Sequence, residues 1–170
     1  MTNNDCLRRI RYILDLDDTA MINIFSLAEL AVSREQICAM LKKDDDPDFE
    51  KCRDIQFATF LNGLIIDKRG KREDGIPEPE KRLNNNIIFR KLRIAFDLKA
   101  EDILSLLALT DCQISKHELS AFFRKPGNRQ FRECKDQILR NFLSGLQKQQ
   151  RGDAEPEVIW GKVSSTAVDS

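Results

Sequence analysis

A single histidine, one tyrosine and one tryptophan occur in 170 residues, and the seven glycines stand apart from one another. The lone histidine, His117, would need unusual partners for Ser/His/Asp or Cys/His catalysis. Its counterpart in an internal repeat is Glu35, so a surface role is the stronger reading. The glycines match neither the Walker nor the dinucleotide pattern. Five cysteines form an odd set without Cys-x-x-Cys spacing, which argues against a disulfide framework and against zinc. No apolar run approaches the roughly 20 residues that span a bilayer. The segment Met1-Thr-Asn-Asn-Asp-Cys6 lacks the basic-then-apolar layout of a signal peptide. The expectation is a reduced, cytoplasmic protein with no membrane association and no metal or cofactor.

What the chain has instead is the same helix written twice. Cys52-Arg-Asp54-Ile-Gln-Phe57-Ala-Thr-Phe60-Leu61-Asn-Gly63-Leu64 returns as Cys134-Lys-Asp136-Gln-Ile-Leu139-Arg-Asn-Phe142-Leu143-Ser-Gly145-Leu146. Apolar residues fall at i, i+3, i+4 and i+7 in both, the spacing of one buried helical stripe. A glycine inside a helix costs about 1 kcal/mol against alanine. Its repetition predicts a close helix contact at Gly63 and Gly145.

A shift of 82 residues aligns Asn3–Leu64 with Asn85–Leu146 without a gap, with about a quarter of positions identical. Matches such as Arg8/Arg90, Arg11/Arg93, Asp15/Asp97, Ser33/Ser115 and Asp54/Asp136 establish a duplication. Each copy reads as four helices. The first spans about 5–16 and 87–98, opened by asparagines suited to capping. The second follows Asp17-Asp18-Thr19 or Lys99-Ala-Glu101-Asp102, with acids at the positive end of the helix dipole. The third opens on the capping boxes Ser33-x-x-Gln36 and Ser115-x-x-Glu118. The fourth is the quoted stretch. Phe49 and Phe131 are expected to fold the intervening loops onto the core. The fold class is therefore all-α: two tandem homologous four-helix units packed with pseudo-two-fold symmetry. The first repeat covers 1–67, a charged Pro/Gly linker 68–84, and the second repeat 85–150. A disordered polar tail is expected over 151–170, interrupted by the apolar Val158-Ile-Trp160, which would dock on the body or on a partner.

Charges common to both copies suggest structural ion pairs between helices one and four: Arg11 with Asp54, and Arg93 with Asp136. Cys52 and Cys134 sit just before a helix, where a thiol can be activated. Two copies deep in a repeat fit packing better. Asp44-Asp45-Asp46-x-Asp48 lacks full calcium-loop spacing and reads as a solvated loop.

Net charge is zero, yet residues 1–66 carry eight Lys/Arg against twelve Asp/Glu, and residues 85–150 twelve against seven. Lys116, Arg124, Lys125, Arg129 and Arg132 gather around the third helix of the second repeat, the clustering that phosphate contact requires. Helices two and three echo a helix-turn-helix, with departures. Ala31 and Gln113 stand at the turn glycine, and Leu27 and Leu109 at the small residue before it.

Arg11-Tyr12-Ile13-Leu14, Phe60-Leu-Asn-Gly-Leu64 with Lys68-Arg-Gly-Lys71, Asn84-Asn-Asn86 before Lys91-Leu-Arg93-Ile-Ala-Phe96, and Phe131-Arg-Glu-Cys134 resemble the YehS-like family. Those are small bacterial proteins built from a tandem domain of unknown function. The resemblance implies a tandem helical, cytosolic bacterial protein and carries over no catalytic residue. The function expected is a non-enzymatic interaction or regulatory module with a protein partner, self-association being open. The alternative is nucleic-acid binding through the helix-turn-helix-like element of the basic second repeat.

Overall fold

The computed structural model describes residues 1–152; the expected docking segment Val158–Trp160 and the rest of the tail lie outside the described residues. Eight helices and no strand occur among the described residues: α1 (Asn3–Ile13), α2 (Asp18–Leu27), α3 (Arg34–Leu41), α4 (Asp54–Arg69), α5 (Asn85–Ala95), α6 (Ala100–Ala108), α7 (Lys116–Ala121) and α8 (Asp136–Arg151). The shift of 82 carries α1 onto α5 and α4 onto α8 end to end. It also matches the starts of α2 with α6 and of α3 with α7.

The local signals work in pairs. Ser33 caps α3 and Ser115 caps α7, each in a reciprocal box with Gln36 or Glu118. The first helix of each unit ends sooner than its apolar pattern predicts. Asp15 and Asp97 turn left-handed at φ 54° and 53°, and the N–H of Leu16 or Leu98 bonds back to Arg11 or Arg93. That is a Schellman stop, and an aspartate tolerates its backbone better than most residues. Glu29 and Asp111 close α2 and α6 the same way. Thr2 and Asn84 cap α1 and α5, so Asn3 and Asn4 lie inside the helix and are released for other work.

The core is one cluster running through both units. Phe25 meets Phe60 at 5.2 Å between ring centres, and Phe89 meets Phe142 at 4.7 Å. The two glycines do what their repetition predicts. A Cβ on Gly63 would lie 2.9 Å from the carbonyl carbon of Ile24, and one on Gly145 2.8 Å from that of Leu106. Ile24 and Leu106 are themselves repeat mates, so α2 crosses α4 as α6 crosses α8. Phe49 and Phe131 depart from expectation: both stay half-buried outside the core cluster.

The units join by exchange. The first helix of each packs on the fourth helix of the other, α1 on α8 and α5 on α4, and the polar pairs along the two seams are mates. At one end the Met1 amino nitrogen donates to Asp136 Oδ2 at 2.7 Å, and the Leu83 N–H donates to Asp54 Oδ2 at 2.9 Å. In the middle Arg9 Nη2 donates to Ser144 Oγ, and Lys91 Nζ to Asn62 Oδ1 at 2.6 Å. At the far end Arg151 reaches Asp15 at 3.6 Å, and Arg69 reaches Asp97 at 3.0 Å. Three residue pairs and their mates thus obey the pseudo-two-fold.

The linker is more ordered than its composition predicts. Lys68 and Arg69 belong to the last turn of α4, where cations suit the dipole. Gly70 ends that helix at φ 88°. The chain then returns to the body. The Pro77 carbonyl accepts from Asn62 Nδ2 at 3.3 Å, and Glu80 pairs with the buried Lys91 at 3.0 Å. The charged linker stays mostly exposed, and its second half also straps the α4–α5 seam.

Candidate functional site

The site begins with two asparagines. Asn86 Nδ2 donates to the carbonyls of Phe122 (3.0 Å) and Arg132 (2.9 Å), while its Oδ1 accepts the Cys134 N–H at 3.0 Å. Asn4 makes the same three bonds, to Met40, Glu50 and Cys52, at 2.8, 3.0 and 2.9 Å. Each side chain ties both ends of the loop that leads from the third helix to the fourth. Within the loops the turns also match. The Asn128 N–H reaches the Lys125 carbonyl as the Asp46 N–H reaches that of Lys43. Asn128 Oδ1 takes the Gln130 N–H as Asp46 Oδ1 takes that of Asp48.

On that shared backbone both loops open on two basic residues, Lys42-Lys43 and Arg124-Lys125, and differ in charge after them. The first-unit loop carries Asp44, Asp45, Asp46 and Asp48; the second carries Arg124, Lys125, Arg129 and Arg132, all four exposed. None of these four cations has a carboxylate partner among the described residues. The Arg132 guanidinium instead donates to the carbonyls of Arg129 (3.3 Å) and Phe131 (2.9 Å). Arg129, Arg132, Gln130, Ala121, His117 and Glu118 line an open cleft of about 380 Å³. Lys116 stands apart: it opens α7 and pairs with Glu101 at 2.9 Å. Its hydrogen bond and charge hold that carboxyl below the usual range. Of the five expected basic residues, four therefore present free charge and one is held by its neighbour.

The expected ion pairs are replaced. Arg11 meets Asp18 at 3.7 Å rather than Asp54. The Arg93 guanidinium donates to the Leu98 carbonyl at 3.2 Å and lies 4.7 Å over the Phe123 ring, rather than meeting Asp136. Asp54 and Asp136 do fasten helix one to helix four, but through Asn3 and Asn85, whose amides donate to them at 2.7 Å. The physical reason is position. Asp54 and Asp136 open α4 and α8, beside the starts of α1 and α5. Arg11 and Arg93 are two turns away, in the last turn of their helices.

Other reactive groups are quiet. Cys52 and Cys134 are buried, and burial pushes both thiols up to about 12; Cys6 is raised equally by the same cause. Burial pulls the Arg9 guanidinium down to about 9, so it remains a cation at neutral pH. A second cleft, of about 440 Å³, opens beside the starts of α1 and α5. Two of its polar residues, Asn3 and Asp54, are bonded to each other as above, and a third, Asn85, to Asp136. Among the described residues no group of three His, Cys, Asp or Glu could hold a metal ion, and no helix is long and apolar enough to cross a membrane.

Comparison with known proteins gives a family without a function. The model of a protein family of unknown function, DUF1456, matches residues 3–70 and again 85–152. These are the two units, each extended to the glycine that caps its fourth helix. The uncharacterised protein YehS of Escherichia coli (strain K12) is 46% identical over 151 residues, covering 88% of this chain and 97% of YehS. No solved structure matches. The chain belongs to the DUF1456 family.

Proposed function

We propose that this member of the family is a non-enzymatic interaction module that offers the basic loop of its second unit to an acidic surface on a protein partner. One observation supports the reading above others. Asn3, Asn4 and Asp54 and their mates Asn85, Asn86 and Asp136 are engaged in folding, and beyond a shared basic pair the two loops differ in charge. Arg124, Lys125, Arg129 and Arg132 are exposed on a backbone pinned by Asn86. A loop held in place loses little freedom on binding, so more of its charge attraction appears as affinity. The acidic loop of the first unit would repel a long polyanion, which favours a compact acidic patch.

The alternative, nucleic acid, draws on the same cations. A helix-turn-helix reads bases with the N-terminal residues of its second helix. Here α7 has six residues, its start is occupied by the Lys116–Glu101 pair, and the cations follow its end. The left-handed residue of the connection is Asp111, two positions before the one aligned with the turn glycine. Contact with phosphates alone would be independent of sequence and steeply salt-dependent.

The test is capture of partners from native cytosol by the wild-type chain and by Arg124→Glu with Lys125→Glu. The expected result is a protein retained at low salt by the wild type and lost on charge reversal. Identical captures by both chains would overturn the proposal. Binding of the wild type to duplex DNA of any sequence, lost with added salt, would replace it with the alternative.

A further inference from the structure

Two neighbouring positions on α5 lack the partners that their mates on α1 have. Arg8 pairs with Asp5 and donates Nη1 to the Lys42 carbonyl at 2.7 Å. Its mate Arg90 has lost that acid, because Ile87 stands where the first unit has Asp5. Arg90 is exposed and makes no hydrogen bond or ion pair among the described residues. Tyr12 is covered by the Arg151 guanidinium, 4.5 Å over its ring. Its mate Ile94 offers no ring to a cation and is 45% exposed.

Arg90 and Ile94 stand four residues apart and so share one face of α5. That face borders a cleft of about 170 Å³ between α4, α5 and the linker. Ile65, Ile66 and Pro77 line it beside Ile94, and among the described residues no acid does. Two other cations at the cleft already have carboxylates: Lys91 meets Glu80 at 3.0 Å, and Arg72 meets Asp74 at 2.8 Å. What remains is an apolar lining with one guanidinium, that of Arg90, whose charge has no partner.

We propose that this cleft binds a small organic acid with an apolar body, its carboxylate on Arg90 and its hydrocarbon against Ile94, Ile65 and Ile66. The planar guanidinium fork matches the two oxygens of a carboxylate. Small-molecule sites combine a mostly apolar lining with a few polar groups that fix orientation, and the cleft has that composition. It is smaller than the roughly 300–1,000 Å³ that drug-sized ligands occupy, so the body is a short chain or a single ring.

The inference is independent of the basic loop and of its partner. The test is titration of the whole chain with hexanoate, followed through the isoleucine methyl resonances. Saturable shifts are expected at Ile94 and at Ile65 or Ile66, while Ile37 in the first-unit core stays unmoved. Affinity should rise by up to about fourfold for each CH₂ group added from acetate through butyrate to hexanoate, the worth of a buried methylene. Arg90→Gln, a change at an exposed position, should weaken hexanoate binding about fivefold, and Arg124→Gln should leave it unchanged. Hexanol, which lacks the charge, should bind the wild type about fivefold more weakly than hexanoate does. No saturable shift at Ile94, an affinity indifferent to chain length, or an affinity indifferent to Arg90→Gln would each overturn the proposal.

Discussion

Asp54 receives the Leu83 N–H at 2.9 Å across the boundary between the two units, and Asp136 receives the Met1 amino nitrogen at 2.7 Å across the same boundary in the opposite sense. Each unit thereby grips the residue that leads into the first helix of the other. Both aspartates are held at the same time by an asparagine of their own unit. An acid common to the two copies thus serves both the fold of a unit and the pairing of units, and its retention needs no catalytic explanation.

The Asp136 carboxyl lies below its ordinary value, chiefly through the hydrogen bond from Asn85 and next through that from the N-terminus. A group lowered in the folded state stabilises fully above its unfolded value and loses that contribution as pH falls through the folded one. Acid unfolding should therefore include an Asp136 component beginning near pH 4 and extending below it. Because the side chain is about half exposed, the contribution is small, on the order of 1 kcal/mol or less. Asp136→Asn should flatten the pH dependence of denaturant midpoints in that window and leave it unchanged near neutrality.

Gly63→Ala and Gly145→Ala should each destabilise the protein. The added methyl meets backbone of α2 or α6, which cannot rotate away as a side chain could. Overpacking of this kind costs about 1–3 kcal/mol, offset by less than about 1 kcal/mol of helix propensity. Urea midpoints of the two variants should fall by similar amounts, because the contacts are mates. Gly127→Ala, with open space around it, provides the comparison that should stay near wild type.

Asn4→Ala and Asn86→Ala should loosen the two loops. Each loses three hydrogen bonds to buried or half-buried backbone, and a buried group left unpaired costs about 1–3 kcal/mol. A loss on the order of 3 kcal/mol is expected for either variant. Asn86→Ala should in addition raise hydrogen exchange along residues 122–134 while the first-unit loop keeps its protection, and Asn4→Ala should do the reverse.

The thiols should react in order of exposure. Cys38 is exposed and Cys112 half-buried, while Cys6, Cys52 and Cys134 are buried with their thiols raised to about 12. A chromogenic disulfide reagent at neutral pH should modify Cys38 first and Cys112 more slowly. The other three should react only after denaturant is added.

The helices and their duplication were legible because they rest on short-range signals: apolar spacing, two serine capping boxes and two repeated glycines. The stops at Asp15 and Asp97 were not, since the apolar pattern runs on past a residue that turns left-handed. Arg11 and Arg93 were assigned to the wrong partners for a related reason. Common charge in both copies marks a shared role, but the partner depends on which end of a helix faces which. Asn4 and Asn86 were overlooked although they are identical in the two copies, because an asparagine near a helix start reads as a cap. The strap was hidden by composition, as two prolines and many charges outweighed a single Glu80 placed opposite Lys91. The basic cluster was visible residue by residue. The equivalence of the two loops was legible in the gap-free alignment and in Lys43/Lys125 and Phe49/Phe131; that Asn4 and Asn86 pin both ends of them was not.

The most direct test of the account gives the second loop the charge of the first, net −2 in place of net +3, while its first two positions stay basic and its backbone is undisturbed. Residues 124–133 are replaced by residues 42–51, and partner capture is measured beside thermal unfolding. The account predicts a chain that melts close to the wild type, because Asn86 still finds its three bonding positions, and that no longer retains the partner. A chimera that folds and still captures the same partner, or one that cannot fold, would contradict it.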